Sequence, residues 1–245
     1  MKVFIRKRDI SENYVDDWLV SAYGGFQTLG ADITFFVDNR EVEYNPEYVL
    51  VGTIDDTKAY LSKGGIQIPA PLNIPDSLFT SKLLQRKIEI KTLKQFKGET
   101  ELPIFVKPYS KVKEFYSGVI SHTWSRSTLF HEVDEDTMVL TSEIVDFVTE
   151  YRCFIHKGGL VGIKHYSGDF KVFPDIKTIE SAIKLYDNQP IGFTMDFGVI
   201  YSNLGLPLTV LVECNDGWAI GNYGLDALVY AKLLRDRWFE IIKNK

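Results

Sequence analysis

The sequence has few of the residues that build disulfide frameworks and zinc sites. Only two cysteines occur in its 245 residues, Cys153 and Cys214, each inside a predicted strand and neither in a Cys-x-x-Cys pair. The four histidines show no metal-site spacing; they are His122, His131, His156 and His165. We therefore expect two reduced, buried cysteines, and neither a disulfide nor a zinc site.

Long apolar runs and an excess of positive charge are also missing. No stretch approaches the length of a membrane span, and the N-terminus lacks the apolar core of a secretory signal, so we expect a cytoplasmic protein with no membrane partner. The formal net charge of -5 gives no general attraction to nucleic acid. With 45% hydrophobic and 25% charged residues, the chain is typical of a globular protein with a substantial core.

The familiar nucleotide-binding and nucleophile motifs are absent too. There is no G-x-x-x-x-G-K-[ST] loop and no G-x-G-x-x-G after a strand. Asp196, Phe197 and Gly198 spell the metal-binding triplet of protein kinases, but no His-Arg-Asp loop precedes them. No Ser/His/Asp or Cys/His pattern indicates a covalent nucleophile. The sequence thus argues against a protein kinase and against nucleophilic catalysis.

The first third of the chain alternates between strands and helices. Strands are predicted at residues 2–5, 33–37 and 48–52, and helices at 14–29 and 53–61, the second of which ends at a Gly-Gly pair. This pattern predicts a small α/β unit with a parallel sheet. Three prolines then make residues 69–76 the best candidate linker.

Beyond the linker the chain becomes mainly a succession of strands. They are predicted at residues 103–108, 116–120, 138–145, 150–155 and 160–166. One helix is predicted at 176–185, and an apolar stripe at 225–242 indicates a second helix that packs on the core. The fold class is therefore α/β followed by α+β, with a predicted boundary between residues 75 and 76.

Two strands near the C-terminus carry the most informative polar residues. Residues 191–200 and 208–217 read as an antiparallel hairpin with a loop at 203–206, a register that places Asp196 opposite Glu213. The same register places Ser202 opposite Pro207 and Gly198 opposite Leu211.

Like charges that face each other destabilise a hairpin, and strand alternation puts Asn215 on the face of Glu213. These oxygen ligands suit Mg²⁺, although a Lys or Arg from elsewhere could equally neutralise the carboxylates.

Several cations could meet an anionic ligand near this hairpin. Lys107 ends an apolar strand, and Arg152 shares a strand face with Glu150. These two residues either neutralise each other, or Arg152 presents its planar donor fork to phosphate oxygens. A two-residue turn at Gly158 and Gly159 would put Lys164 and Tyr166 on the opposite face from Arg152, whereas a bulge or a three-residue loop would bring them together. A basic run reads mostly as a solvated helix face or an edge strand; it comprises Lys82, Arg86, Lys87, Lys91, Lys94 and Lys97.

Taken in chain order, several short motifs are similar to those of the ATP-grasp superfamily. They are Phe105 to Pro108, Ser142 with Glu143, Glu150 to Phe154, Lys164 to Asp169, Asp196, and Val212 to Gly217. More narrowly, the sequence resembles a small ATP-grasp clade found in bacteria and their phages. The resemblance implies an N-terminal α/β pre-ATP-grasp domain at residues 1–75, followed by an antiparallel-sheet-rich ATP-grasp catalytic domain at residues 76–245.

The resemblance also implies a role for each matching residue. Lys107 would contact the α and β phosphates of ATP, and Glu150 would bind the ribose. Arg152 and Lys164 would act near the γ-phosphate or an acyl-phosphate. The hinge strand that reads adenine would contain Ser142, Glu143, Ile144 and Val145. Mg²⁺ would be held by Asp196, Glu213 and Asn215.

Two features depart from the superfamily pattern. The first nucleotide-binding lysine has no clear match, with Lys82 and Lys87 as candidates. The loop after Pro108 carries a single glycine, at Gly118, where many ATP-grasp enzymes have a glycine-rich phosphate flap.

The function implied by the resemblance is that of an ATP- and Mg²⁺-dependent carboxylate-amine ligase working through an acyl-phosphate. Its substrates would be a small-molecule or peptide carboxylate and an amine. Two alternatives remain open from the sequence: a nucleotide-binding module without ligase activity, and a small-molecule phosphotransferase.

Overall fold

The structure is a computed structural model that describes residues 1–7, 16–98, 101–110, 114–123, 125 and 130–243. The first two residues of the helix predicted at 14–29 lie outside these ranges. So does the middle of the loop that follows Pro108.

The N-terminal unit is built around a three-stranded parallel sheet with the order β2-β1-β3. Its elements are β1 (Lys2–Arg6), α1 (Asp17–Thr28), β2 (Asp32–Phe36), β3 (Tyr48–Val51) and α2 (Ile54–Lys63). Thr53 and Asp56 form a reciprocal capping box that starts α2, and Gly64 ends it. The predicted parallel sheet and the capped helix are confirmed.

A second sheet follows the proline-rich segment and is antiparallel, with the order β4-β7-β5-β6. Its elements are α3 (Ser81–Leu84), β4 (Ile88–Thr92), α4 (Leu93–Lys97), β5 (Ile104–Pro108), β6 (Gly118–Ile120) and β7 (Met138–Ser142). Val106 and Val139 bury one face of this sheet in its own core. Leu140, which lies opposite Lys107, belongs to the core shared with the third sheet. The strand predicted at 138–145 ends at Ser142 and is therefore three residues shorter than predicted.

The third sheet is antiparallel with the order β11-β10-β8-β9. Its elements are β8 (Thr149–His156), β9 (Gly159–Gly168), α5 (Ile176–Leu185), β10 (Gly192–Tyr201) and β11 (Pro207–Asp216). Cys153 and Cys214 are both free and buried. Cys153 on β8 and Cys214 on β11 each pair with Met195 on the strand between them. The expectation of two unpaired, buried cysteines is confirmed.

The last helix, α6 (Ala227–Lys243), returns to the N-terminal unit. Trp238 is 1% exposed; its Nε1 donates a 2.8 Å hydrogen bond to the carbonyl of Tyr48, and its ring lies 5.8 Å from that of Tyr60. The predicted packing role of this helix is confirmed. In space α6 joins the core of residues 1–66, although in sequence it belongs to the predicted second domain.

The register of the β10-β11 hairpin differs from the prediction except at the acidic pair. The loop is one residue longer, at 202–206, so Tyr201 rather than Ser202 faces Pro207, and Gly198 faces Val210 rather than Leu211. A bulge between the Phe197/Leu211 and Asp196/Glu213 pairs then adds one residue to β11. The two differences cancel, and Asp196 lies opposite Glu213 as predicted.

The β8-β9 turn also differs from the simple prediction. The two turn residues are Lys157 and Gly158, with φ of 53° and 76°, as a type I′ hairpin turn requires. A bulge at Phe154/Ile155 then shifts the register, so that Arg152 faces Lys164 rather than His165, and a second bulge beyond Arg152 makes Glu150 face Ser167. The bulge alternative is therefore the correct one.

Among the described residues, no helix combines the length and the apolar character that crossing a membrane requires.

Candidate active site

Several of the predicted site residues border a large cleft in the described part of the chain. The cleft has a volume of about 1250 Å³ and lies between the N-terminal unit, the second sheet and the third sheet. Lys107, Arg152, Glu213 and Asn215 all line it, together with Tyr223 from the segment that joins β11 to α6. The fold thus brings side chains from three distant parts of the sequence to one place.

Asp196 and Arg152 form a buried ion pair at the inner end of this group. Asp196 is 1% exposed, and its two carboxylate oxygens accept from Arg152 Nε at 2.9 Å and Nη2 at 2.7 Å. Neighbouring positions on β10 and β8 hold the two residues face to face. Burial raises the pKa of Asp196 to about 6, and the hydrogen bonds from Arg152 oppose that rise.

Glu213 is the more accessible carboxylate, with a side chain that is 33% exposed. One oxygen lies 3.4 Å from Lys107 Nζ; the other accepts from Asn215 Nδ2 at 2.9 Å and lies 4.0 Å from Arg152 Nη2. Burial opposes ionisation, but Lys107, Asn215 and Arg152 together outweigh it and hold the pKa of Glu213 below its usual value.

The positive partners expected beside the carboxylate pair are therefore Arg152 and Lys107. Glu213 and Asn215 face the cleft and offer oxygens that suit a hard cation. Asp196 is accessible to a metal only if Arg152 withdraws, since the guanidinium occupies both of its oxygens. Within the described ranges, no group of three or more His, Cys, Asp or Glu residues could hold a metal. A metal at this site would therefore take ligands besides the carboxylates, such as the amide oxygen of Asn215, water or phosphate, and the metal site stays a prediction.

Two tyrosines, Tyr166 and Tyr223, contact each other at this site, and Tyr223 has no role predicted from the sequence. Tyr166 donates a 2.9 Å hydrogen bond to Glu150, and the Arg152 Cζ lies 4.5 Å from the ring centre of Tyr223. Tyr223 is 46% exposed and has φ of 46°, a left-handed conformation that is rare for a tyrosine. The only sequence signal for this turn is the Asn-Tyr-Gly string that begins at Asn222.

Lys164 and Glu150 lie on the same face of the sheet as Arg152. Lys164 is the direct cross-strand neighbour of Arg152, and it makes no ion pair with any residue that the structure describes. Glu150 is held by Tyr166 rather than neutralised by Arg152. The arrangement leaves Lys164 available to an anionic ligand.

The predicted adenine-binding segment follows β7 as an irregular stretch. Glu143 pairs with Lys87 twice: its backbone N–H donates to the Lys87 carbonyl at 3.1 Å, and its carboxylate accepts from the Lys87 N–H at 2.7 Å. Ile144 is exposed and Val145 is half-buried. Only Ser142 of this segment lies in a strand, so the backbone beyond it is not committed to a sheet ladder.

The basic run is mostly what the sequence indicated, namely charged residues on an edge strand and its flanking helices. Lys82 is exposed on α3, and Lys87 pairs with Glu89 at 3.0 Å. Arg86 is the exception. Its guanidinium lies partly buried between the second and third sheets, where every hydrogen-bond acceptor that it meets is neutral.

Comparison with known proteins identifies the family. Residues 83–233, more than half of the chain, match the family model described as "ATP-grasp domain, R2K clade family 2". The chain belongs to this family. The suspected ATP-grasp superfamily and the predicted ATP-grasp fold are thereby confirmed. A comparison with curated proteins found no match.

Solved ATP-grasp structures share the fold at low sequence identity. A RimK domain protein ATP-grasp from Sphaerobacter thermophilus aligns with a TM-score of 0.56 at 15% identity, covering 96% of this chain and 100% of that one. D-alanine--D-alanine ligase from Bacillus anthracis aligns at 0.51 and 11%, covering 100% and 99%. Macrocyclase MdnC from Microcystis aeruginosa, bound with precursor peptide MdnA, aligns at 0.51 and 12%, covering 96% and 99%. At these identities the likeness concerns the ATP-grasp fold alone.

Proposed function

We propose that this protein is an ATP-dependent ligase that joins a carboxylate to an amine. The observation that carries the proposal is that Lys107, Arg152, Glu213 and Asn215 line one cleft, with the buried Asp196 bound to Arg152 beside them. Such an arrangement offers oxygen ligands for a cation and positive charges for phosphates within the same few ångströms. Membership of the ATP-grasp family and the fold shared with ligases support the same reading.

In this proposal the chain's own cations bind and orient the triphosphate. Lys107 acts as a point charge for the α and β phosphates, and Arg152 presents a planar donor fork to the γ-phosphate. Lys164 adds a further positive charge on the face of Arg152. The segment from Glu143 to Val145 supplies backbone groups to the adenine edge.

Glu150 completes the nucleotide site by accepting from the ribose hydroxyls. Tyr166 already holds its carboxylate in place.

The chemistry consists of two transfers that conserve charge and atoms. A substrate carboxylate attacks the γ-phosphorus in line, the bond to the bridging oxygen breaks, and ADP leaves. An amine then attacks the carbonyl carbon of the acyl-phosphate, phosphate leaves with its electron pair, and the amine loses a proton to give the amide. Water would hydrolyse the acyl-phosphate, so the protein's main tasks are orientation and exclusion of solvent. Neither task calls for a nucleophilic side chain.

A divalent cation would be held by Glu213 and Asn215, and by Asp196 once Arg152 leaves its two carboxylate oxygens. Mg²⁺, when bound, supplies positive charge to the phosphate oxygens that become more negative during transfer. The anionic state of Glu213, favoured by Lys107, Asn215 and Arg152, suits that role.

The cleft volume suits a small molecule or a peptide as the carboxylate substrate, with the amine as a second substrate.

The decisive experiment is product analysis with purified protein, ATP, Mg²⁺ and pooled amino acids and peptides. A ligase releases ADP and phosphate and gives a new amide mass. ADP with a stable phosphorylated product and no amide would instead indicate phosphotransfer. ADP release no higher than in a protein-free control would leave only nucleotide binding.

Glu213→Gln tests the site itself. The variant keeps the shape of the side chain but removes its charge, so we expect Mg²⁺-dependent ATP turnover to fall about a hundredfold or more, with an unchanged fold. Glu180→Gln, at an exposed position on α5, is the matched control and should retain full turnover. Equal turnover in the two variants would remove Glu213 from the site.

A further inference from the structure

One additional residue in β11 decides which face of the sheet Glu213 occupies. Below the bulge Phe197 pairs with Leu211, above it Asp196 pairs with Glu213, and Val212 is the extra residue between them. If the lower register continued without a bulge, Asp196 would face Val212 and Glu213 would turn to the opposite face. The bulge is therefore the feature that places the two carboxylates together.

Arg86 binds this bulge directly. Its Nη1 donates to the carbonyl of Leu211 and its Nη2 to the carbonyl of Val212, each at 2.8 Å. Because β11 is an edge strand of the sheet that the described residues form, none of the described strands supplies donors to its outer side. The two carbonyls thus depend on a side chain that comes from more than a hundred residues earlier in the sequence.

The same guanidinium anchors the bulge to the second sheet. Its Nε donates to Ser142 Oγ at 3.1 Å, and Nη1 also donates to the Leu84 carbonyl at 3.1 Å. These bonds connect β11 with Ser142, which is the last residue of β7 and the first residue of the predicted hinge segment. A planar fork can serve such separated acceptors at once, whereas a lysine ammonium presents its donors from a single point.

The backbone before Arg86 is also held in an unusual conformation. Gln85 has φ of 50°, and its Nε2 donates to the carbonyl of Lys82 at 2.9 Å. A left-handed non-glycine residue persists only where its surroundings determine it. Here it redirects the chain between α3 and β4, immediately before the residue whose guanidinium reaches β11.

We propose that Arg86 is a positioning residue for the carboxylate site: it fixes the β11 bulge, and through the bulge it holds Glu213 beside Asp196 and Lys107. The proposal builds on the proposed function, because it concerns the residues placed in that site. It assigns Arg86 no contact with the reacting groups.

The first test reads the strand register without any assay of activity. In Arg86→Met, nuclear magnetic resonance should show loss or weakening of the cross-strand proton contacts between residues 196 and 213, and new contacts between 196 and 212. Arg86→Lys keeps the charge but not the fork, and we expect the same change to a smaller degree. Lys87→Met, which alters the neighbouring exposed side chain, is the matched control and should keep the wild-type register. An unaltered register in folded Arg86→Met, or in Arg86→Lys if the Met variant does not fold, would overturn the proposal.

The second test is a double-mutant cycle on ATP turnover. We expect Arg86→Lys to lower kcat roughly a hundredfold with little change in the KM for ATP, because Glu213 is misplaced rather than the nucleotide lost. In a Glu213→Gln background the same change should have almost no further effect, since the residue through which it acts is already neutral. Full additivity of the two effects would contradict a role through Glu213. Absence of turnover in the wild-type protein would instead count against the proposed function, and the register measurement would still decide the role of Arg86.

Discussion

At the scale of single residues, the site depends on how Arg152 divides its donors between two carboxylates. It binds both oxygens of Asp196 and approaches Glu213 at 4.0 Å. Because Asp196 is almost fully buried, removing the guanidinium would leave a charge without compensation, at a cost of about 3–5 kcal/mol. The ring of Tyr223 covers the other side of the guanidinium. Arg152 is thus required for the fold as well as for any anion that binds in the cleft.

The raised pKa of Asp196 predicts opposite effects of pH on stability and on binding. Its pKa in the folded state is about 6 instead of the usual 3.8, chiefly because of burial. Its contribution to stability is therefore fully present below about pH 3.8 and is lost as the pH rises through about 6. In contrast, Mg²⁺-dependent ATP binding should weaken as the pH falls through about 6, because the protonated carboxyl no longer attracts cations.

Titration calorimetry and thermal unfolding between pH 4 and pH 8 measure the two effects. In Asp196→Asn, neither the stability nor the Mg²⁺-dependent ATP binding should change as the pH passes through about 6. If stability and binding in the wild type depend on pH in the same way as in Asp196→Asn, then Asp196 does not titrate in this range.

At the scale of elements, the sequence predicts regular features well and irregular ones poorly. The capping residues of α2 and the apolar spacing of α5 are local signals, and both helices lie where they were predicted. The β11 bulge is not local: it satisfies its carbonyls with Arg86, which the sequence alone placed among solvated cations. The acidic pair was predicted correctly only because a longer loop and a bulge offset each other. Tyr223 had no predicted role for the same reason, since its partners come from β8 and β9.

The turn that carries Tyr223 is predicted to trade stability for function. Tyr223→Gly removes a left-handed tyrosine, so we expect the free energy of unfolding to rise by up to about 1 kcal/mol. The same change removes the ring that lies against Arg152, and we expect kcat/KM for ATP to fall about fivefold, as the loss of a cation-π contact of about 1 kcal/mol implies.

Denaturant unfolding and initial-rate kinetics test this pair of effects. Asn188→Gly, at another exposed left-handed residue far along the chain from the site, should leave the rate unchanged. A Tyr223→Gly protein that is less stable than the wild type would contradict the strain interpretation.

At the scale of the whole molecule, the two ends of the chain share one core. The apolar face of α6 packs against α1 and the first sheet, in the same cluster as Val3, Phe26 and Tyr60. The boundary between residues 75 and 76 was predicted from a proline-rich segment. The apolar core contains residues from both sides of this boundary. The spacing of apolar residues predicts the apolar face of α6, but it does not predict which sheet that face packs against.

Trp238→Ala tests this shared core. The substitution removes a side chain that is 1% exposed and leaves the Tyr48 carbonyl without its donor, so we expect a loss of about 3–5 kcal/mol in the free energy of unfolding. Lys232→Ala, on an exposed position of the same helix, should change it by less than about 0.5 kcal/mol. Urea unfolding followed by circular dichroism provides both values. A small effect of Trp238→Ala would mean that α6 is dispensable for the N-terminal sheet.

The five-residue loop at the tip of the β10-β11 hairpin is remote from the register that matters for chemistry. Since the alignment of Glu213 is set again at the bulge, the tip is insulated from the carboxylate end of the hairpin. Leu204, exposed at that tip, is therefore a natural place to splice in a reporter peptide or a fluorophore. Such a graft would mark the protein without touching the residues of the proposed site.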